Sequence, residues 1–235
     1  MRRWATGFSL LLNLLLLSAF FLLIQRLGGF RYTLYRAYHS EAGLYAHRKS
    51  LFALFPDRPG AMVMLGDSQI EQCEWRELLG DSLHILNRGI TGDQTAGVLD
   101  RLEDIMRNRP NMVVLCVGIN DLLLGKSVAD IAETYRNIVQ QLRKPGSAPQ
   151  VVLVSVLPIN NQIKKMGLDP NLIPALNLEI QQIARSFALP YLDLYTELSD
   201  AQGQLLPTCT EDGLHLNGQG YLVWKKQLDK ILLGT

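Results

Sequence analysis

From Ala61 onward, short apolar runs alternate with segments of helical periodicity, which predicts an α/β domain whose parallel sheet of about five strands carries helices on both faces. Two further observations support this fold class. The strand candidates are continuous apolar runs rather than alternating ones, as strands buried on both sides require. The residues that follow them are small or polar, and in such sheets working groups gather beyond the carboxyl ends of the strands.

The 235 residues, 48% hydrophobic and 19% charged, suffice to bury a core and exclude a disordered chain. Lys and Arg number 23 against 22 Asp and Glu, and no basic stripe appears, so nucleic acid is not an expected partner. Cys73, Cys116 and Cys209 are odd in number and widely spaced, and they form neither a disulfide framework nor a C-x-x-C pair.

The N-terminal segment, 1–26, reads as a membrane anchor. Ala5 to Ile24 is uncharged, and 15 of its 20 residues are apolar; as a helix it spans about 30 Å, the thickness of a bilayer's hydrocarbon core. A cleaved secretory signal is the competing reading, but the run exceeds the usual ~7–15 residues of such a segment, and no clear A-x-A site follows. Arg26, Arg31 and Arg36 outnumber Arg2 and Arg3, against the simple positive-inside count, yet large domains are exported largely regardless of charge. The expectation is a single-pass protein with its folded domain on the extracytoplasmic, periplasmic side, or secreted if the signal is cleaved.

Residues 27–60 form a linker carrying Tyr32, Tyr35, Tyr38 and Tyr45 with several arginines. This stretch either lies in the membrane interface or forms a helix, from about His39 to Leu54, that packs Leu and Phe side chains on the domain. Pro56 and Pro59-Gly60 end it. In the domain proper, 61–235, strands are expected at Ala61 to Leu65, Leu83 to Leu86, Met112 to Val117, Val151 to Val156 and Pro190 to Leu194. Val128, Ile131, Tyr135, Ile138 and Leu142 repeat at three-four spacing, as do Ile173, Leu176, Ile180, Ile183 and Phe187, and each set marks one helix stripe. Further helices are expected near 69–79, 94–107 and 218–232.

After the strands come Gly66-Asp67-Ser68, Asn87-Arg88-Gly89-Ile90-Thr91-Gly92-Asp93, Gly118-Ile119-Asn120-Asp121 and Leu157-Pro158-Ile159-Asn160. Asp212-Gly213-Leu214-His215 precedes the last helix. A serine hydroxyl needs a base to remove its proton, and the base needs a carboxylate to orient it; Ser68, His215 and Asp212 are the candidates. Each piece has a duller reading. Ser68-x-x-Glu71 is also a helix capping box, and Asn120-Asp121 and Asp212-Gly213 are also turn dipeptides. The combination at these places on one sheet is hard to reach by chance.

These blocks, from about Ala61 to Trp224, resemble those of the SGNH or GDSL hydrolase family, which fall in this order along a flavodoxin-like sheet, a three-layer α/β/α sandwich. The layout is similar to the platelet-activating-factor acetylhydrolase α-subunit-like branch and to bacterial carbohydrate O-acetyl esterases. The resemblance implies Ser68 as nucleophile. It also implies an oxyanion hole built from the Ser68 and Gly89 N–H groups and the Asn120 side-chain amide. Gln69-Ile70 departs from branches that carry a small hydroxyl residue two positions after the nucleophile.

The expected activity is hydrolysis of small acyl esters, acetyl foremost, on a glycan or related envelope molecule. A lipase or lysophospholipase, an acyltransferase of the same fold and an inactive membrane-tethered binding protein are the alternatives. The loop from Leu157 to Asn171 is expected to shape the pocket. No cofactor or metal is implied: Gly125-Lys126-Ser127 lacks the first P-loop glycine, and neither G-x-G-x-x-G after a strand nor H-E-x-x-H occurs. His39, His47 and His84 read as ordinary histidines, Cys116 as a buried apolar side chain, and Trp224 as packing. Trp75 packs or borders the pocket.

Overall fold

The computed structural model describes residues 2–26, 41–80, 82–144 and 148–234. The expectations placed on 27–40, including Tyr32, Tyr35, Tyr38, Arg31, Arg36 and His39, lie outside the described residues. The chain divides into two compact units, Met1–Ala46 and His47–Thr235.

Helix α1 (Arg2–Arg26) occupies the first unit. Among the described residues no helix is long and apolar enough to cross a membrane, so the span expected over 5–24 is not found. Residues 12–23 of α1 carry exposed side chains. That stretch is apolar and uncovered: Leu14 to Leu17 and Phe20 to Leu23 are each more than half exposed. A helix, α2 (Glu41–Leu54), stands where one was expected from about His39, but Leu44, Leu51 and Leu54 are exposed, and of the expected Leu and Phe face Phe52 alone is partly buried, under the Arg88 guanidinium.

The sheet comprises β1 (Met62–Gly66), β2 (Ile85–Gly89), β3 (Met112–Cys116), β4 (Gln150–Val154) and β5 (Tyr191–Leu192), all parallel in the order β2-β1-β3-β4-β5. Alternate side chains feed two separate cores. Val63, Leu65, Val113, Leu115, Val151 and Leu153 pack with α5 (Thr95–Asp100), α6 (Leu102–Arg107), α8 (Val128–Leu142) and α9 (Leu172–Ser186). Met62, Met64, Val114, Cys116, Val152 and Val154 face α4 (Trp75–Leu79), α10 (Leu194–Leu198) and α11 (Gly218–Leu233). Three layers follow from this period of two, and strand order reverses between β1 and β3, the place where such sheets open a crevice.

Two expected helices are each broken. In place of one helix over 69–79 stand α3 (Ser68–Glu71) and α4. The Asn87 amide of β2 reaches into the gap and donates to the carbonyls of Ile70, Glu71 and Cys73 at 3.0–3.1 Å. It satisfies acceptors that a continued helix would have used itself. In place of one helix over 94–107, α5 and α6 meet at Arg101, whose guanidinium turns inward to Asp93 and to the Arg88 and Gly66 carbonyls. Strand β2 also lies later than Leu83 to Leu86. Its polar residues fit because Asn87 is bonded as above, while Arg88 lies over the Phe52 and Phe55 rings of the α2 end.

Candidate active site

Strand β1 ends at Gly66, and α3 begins at Ser68, so the serine sits on the strand-to-helix turn at the switch point. Asp67 caps this helix by accepting the Gln69 N–H at 3.0 Å. The Glu71 of the expected capping box does not reach back to its own helix; one carboxylate oxygen accepts the Thr91 N–H, and the other meets Arg48 of α2 at 2.8 Å. Ser68 is 5% exposed, with its side chain at the crevice.

Ser68 Oγ lies 3.0 Å from His215 Nε2, and His215 Nδ1 lies 2.7 Å from Asp212 Oδ2. The three residues singled out from the sequence are thus brought into one relay. Asp212 Oδ1 accepts the backbone N–H groups of Leu214 and His215 at 2.9 and 2.8 Å. Burial alone would raise this carboxyl. The hydrogen bond from the His215 ring, the two backbone N–H groups and the imidazole charge outweigh it, and they bring the pKa down to about 2. Asp212 therefore stays an anion at any working pH, as the orienting partner of a base must.

The turn that carries this acid and base needs glycine at 213. Its φ is +80°, and a Cβ there would stand 2.6 Å from the Asn160 carbonyl oxygen. Asn160 itself is buried, donates its N–H to the Gly213 carbonyl at 2.7 Å and bonds the Leu205 carbonyl through Nδ2. The loop after β4 thus buttresses the histidine turn as well as walling the crevice, a role invisible until Asn160 and Gly213, 53 residues apart, are seen in contact.

The three expected oxyanion donors fare differently. The Ser68 N–H, at the first turn of α3, meets no acceptor among the described residues. Asn120 lies in α7 (Ile119–Leu123), beyond β3, and its amide donates one N–H to the Asp93 carbonyl at 2.9 Å, leaving the second. The Gly89 N–H, by contrast, is bonded to Asn87 Oδ1 at 2.9 Å, and Gly89 packs so closely on α3 that a Cβ would sit 2.2 Å from the Glu71 nitrogen. Its donor is already used, so Gly89 serves close strand-to-helix packing. Three residues on, Gly92 (φ +78°) occupies the turn closed by the Asp93 N–H and the Ile90 carbonyl, and its own N–H meets no acceptor among the described residues.

Behind this edge lies a group of buried acids. Asp121 is fully buried and accepts the Thr95 N–H and hydroxyl and the Lys126 ammonium, each at 2.9 Å; Lys126 of the Gly-Lys-Ser tripeptide is used here, and Ser127 caps α8. Asp93 pairs with Arg101 at 2.8 Å inside the protein. Asp67, without a cation beside it, is pushed up to about 7 by burial and further by the Asp93 and Asp121 charges. Trp75 does not border the crevice; it is buried, donates to the Ile70 carbonyl and packs edge-on against Tyr221 and Trp224. Cys116 is buried in β3, and burial holds its thiol well above the usual range. His47 and His84 are exposed. No group of three or more His, Cys, Asp or Glu side chains that could hold a metal occurs among the described residues.

The GDSL-like lipase/acylhydrolase family model matches residues 64–223, from within β1 to the first turns of the last helix. The chain belongs to this family. It is 31% identical over 188 residues to the rat platelet-activating factor acetylhydrolase IB subunit alpha1, covering 75% of this chain and 77% of that protein. The human alpha2 subunit is 28% identical over 190 residues, with coverage of 75% and 78%. Among solved structures, a GDSL-like lipase from Bacteroides thetaiotaomicron superposes with a TM-score of 0.70 at 22% identity, over 81% of this chain and 97% of that one. The acetyl xylan esterase AlAXEase does so with a TM-score of 0.59, at 22% identity and over 72% and 98%. These two share the fold. The protein is an ester hydrolase of the SGNH/GDSL family.

Proposed function

We propose that this hydrolase removes short acyl groups, acetyl foremost, from a glycan or related envelope molecule through an acyl-enzyme on Ser68. The observation that carries the reading is the Ser68–His215–Asp212 relay, 3.0 and 2.7 Å between its members, at the crevice of the sheet. His215 Nε2 takes the Ser68 proton as Oγ attacks the ester carbonyl, then returns it to the leaving alcohol; a water repeats the sequence to free the acid. The negative oxygen is met by the Ser68 N–H, the second N–H of the Asn120 amide and the Gly92 N–H. Gly92 takes the place expected of Gly89 because its N–H is unused and the neighbouring Asp93 carbonyl anchors Asn120.

Support for a short acyl chain comes from the relatives; the small cavity beneath the nucleophile turn is not lined by Ser68, His215, Asn120 or Gly92. The rat relative, a platelet-activating factor acetylhydrolase subunit, and the acetyl xylan esterase are both named for acetyl groups.

The deciding experiment is hydrolysis of p-nitrophenyl esters from acetate to palmitate, with Ser68→Ala beside the parent protein. Turnover is expected to be highest on acetate, to fall about tenfold or more within a few added methylenes and to vanish in the variant. Rates that rise with chain length would transfer the assignment to lipids. No Ser68-dependent turnover on any ester would point to a transferase that needs its acceptor, or to an inactive binding protein.

The proposal includes a location. The apolar run 5–24 tethers the chain to a membrane, with the catalytic unit on the extracytoplasmic side; its support is the sequence and the exposed Leu and Phe side chains of α1. Protease added to intact spheroplasts should degrade the catalytic unit. Its protection, or its recovery in the soluble fraction of broken cells, would overturn the location and leave the chemistry standing.

A further inference from the structure

Gln69 follows the nucleophile directly, is 3% exposed and engages the histidine turn with both the nitrogen and the oxygen of its side-chain amide. Nε2 donates to the Leu214 carbonyl at 2.7 Å, and Oε1 accepts the Leu216 N–H at 3.3 Å. The two bonds straddle His215. At the other end of the residue, the Gln69 N–H is held by Asp67, and its carbonyl accepts the buried Tyr221 hydroxyl of α11 at 2.9 Å. One side chain therefore ties the backbone on either side of the base to the first turn of the helix that carries the nucleophile.

From this geometry we infer that Gln69 is a positioning residue: it sets the distance between His215 Nε2 and Ser68 Oγ while touching neither reacting atom. The inference rests on the catalytic roles proposed for Ser68 and His215. The bond from His215 to Asp212 is local, three residues apart and supported by the N–H groups of Leu214 and His215. The bond from Ser68 to His215 joins segments 147 residues apart. Among the hydrogen bonds between the Ser68 turn and the 214–216 segment, those of Gln69 are the two that fix backbone to side chain. Without them the His215–Asp212 pair survives as a unit while its register on the serine loosens. Proton transfer needs hydrogen-bond contact, so the loss falls on kcat rather than on substrate binding.

The test pairs two substitutions in the full-length protein. Gln69→Met keeps the unbranched shape and removes both hydrogen bonds. Gln69→Glu restores the pattern of one donor and one acceptor only when its carboxyl is protonated. The groups around this position that titrate or carry charge are Asp67 on the same turn, Cys116 of β3, Tyr221 of α11, and Asp212 and His215 on the facing turn. Gln69→Met leaves these groups facing an uncharged side chain, as in the parent, so its activity is read as a ratio to the parent at each pH; an ionised carboxylate at position 69 would also act on them, so Gln69→Glu is judged at the low-pH end, where its carboxyl is neutral.

The expected result for Gln69→Met is a fall in kcat of about 10- to 100-fold, with KM unchanged. A fluorophosphonate should label it slowly but to full stoichiometry. Gln69→Glu should approach the parent as pH falls, or match it throughout if burial keeps the carboxyl protonated. A Gln69→Met enzyme with parental kcat overturns the inference. So does one whose titratable sites are fewer but turn over at the parental rate, since that is the mark of a merely structural residue. If the parent itself shows no Ser68-dependent turnover or labelling, the catalytic reading has failed instead, and the two failures are told apart by that control.

Discussion

Among the described residues one hydrogen bond directs the Asn120 amide: one N–H is spent on the Asp93 carbonyl at 2.9 Å, which holds the plane of the amide and leaves the other N–H for a ligand. A donor fixed before charge develops needs no rearrangement when the ester carbonyl becomes an oxyanion. Asn120→Ala should therefore lower kcat by about 10²–10³-fold, or roughly 3 kcal/mol of barrier, with little change in KM. Steady-state kinetics on p-nitrophenyl acetate checks this, and an unchanged kcat would remove Asn120 from the hole. Gly89 shows the limit of the same reasoning applied to sequence. A glycine after a strand signals either a free N–H or a close approach, and only the Asn87 bond and the 2.2 Å approach to Glu71 decide between them.

At the scale of elements, what was legible depended on whether a segment's partners lie inside it. Strands β1, β3 and β4 are continuous apolar runs, so their positions follow from composition alone and agree with expectation to within two residues. The stripe helices α8 and α9 were equally plain, because three-four spacing is internal to the helix. Strand β2 was displaced because Asn87 and Arg88 look like loop residues until their distant partners are seen, the carbonyls of the α3–α4 gap and the Phe52 ring. The same holds for the helix breaks at 72–74 and Arg101. In the site, Asp212 and His215 were readable as a unit three residues apart, and Ser68 from its place after β1. Gln69 reads in sequence only as a departure from the pattern, since its partners lie 145 and 147 residues downstream.

Across the whole molecule, the edge of the sheet concentrates three buried carboxyls, Asp67, Asp93 and Asp121, against the inward cations Arg101 and Lys126. Asp93 is raised chiefly by burial, which Arg101 opposes. Asp67, with no cation in contact, rises to about 7 from an ordinary value of 3.8. A carboxyl whose folded pKa lies above its unfolded one keeps its proton in the folded state where the unfolded chain has released it. Between about pH 4 and 7, folding thus takes up a proton, and stability falls as pH rises, by at most about 1.4 kcal/mol per pH unit for one group. Asp212 acts in the opposite sense and in another window: lowered to about 2, it contributes stability above its unfolded value and loses it as pH falls toward 2. Asp67→Asn keeps an oxygen to accept the Gln69 N–H and cannot ionise. Urea denaturation at pH 5, 6 and 7 should show the variant gaining on the parent with each step upward. Asp93 is present in both proteins and drops out of the difference. Parallel stability curves would mean that Asp67 is ionised in the folded protein at pH 5, and that burial at this edge costs less than its lack of a cation implies.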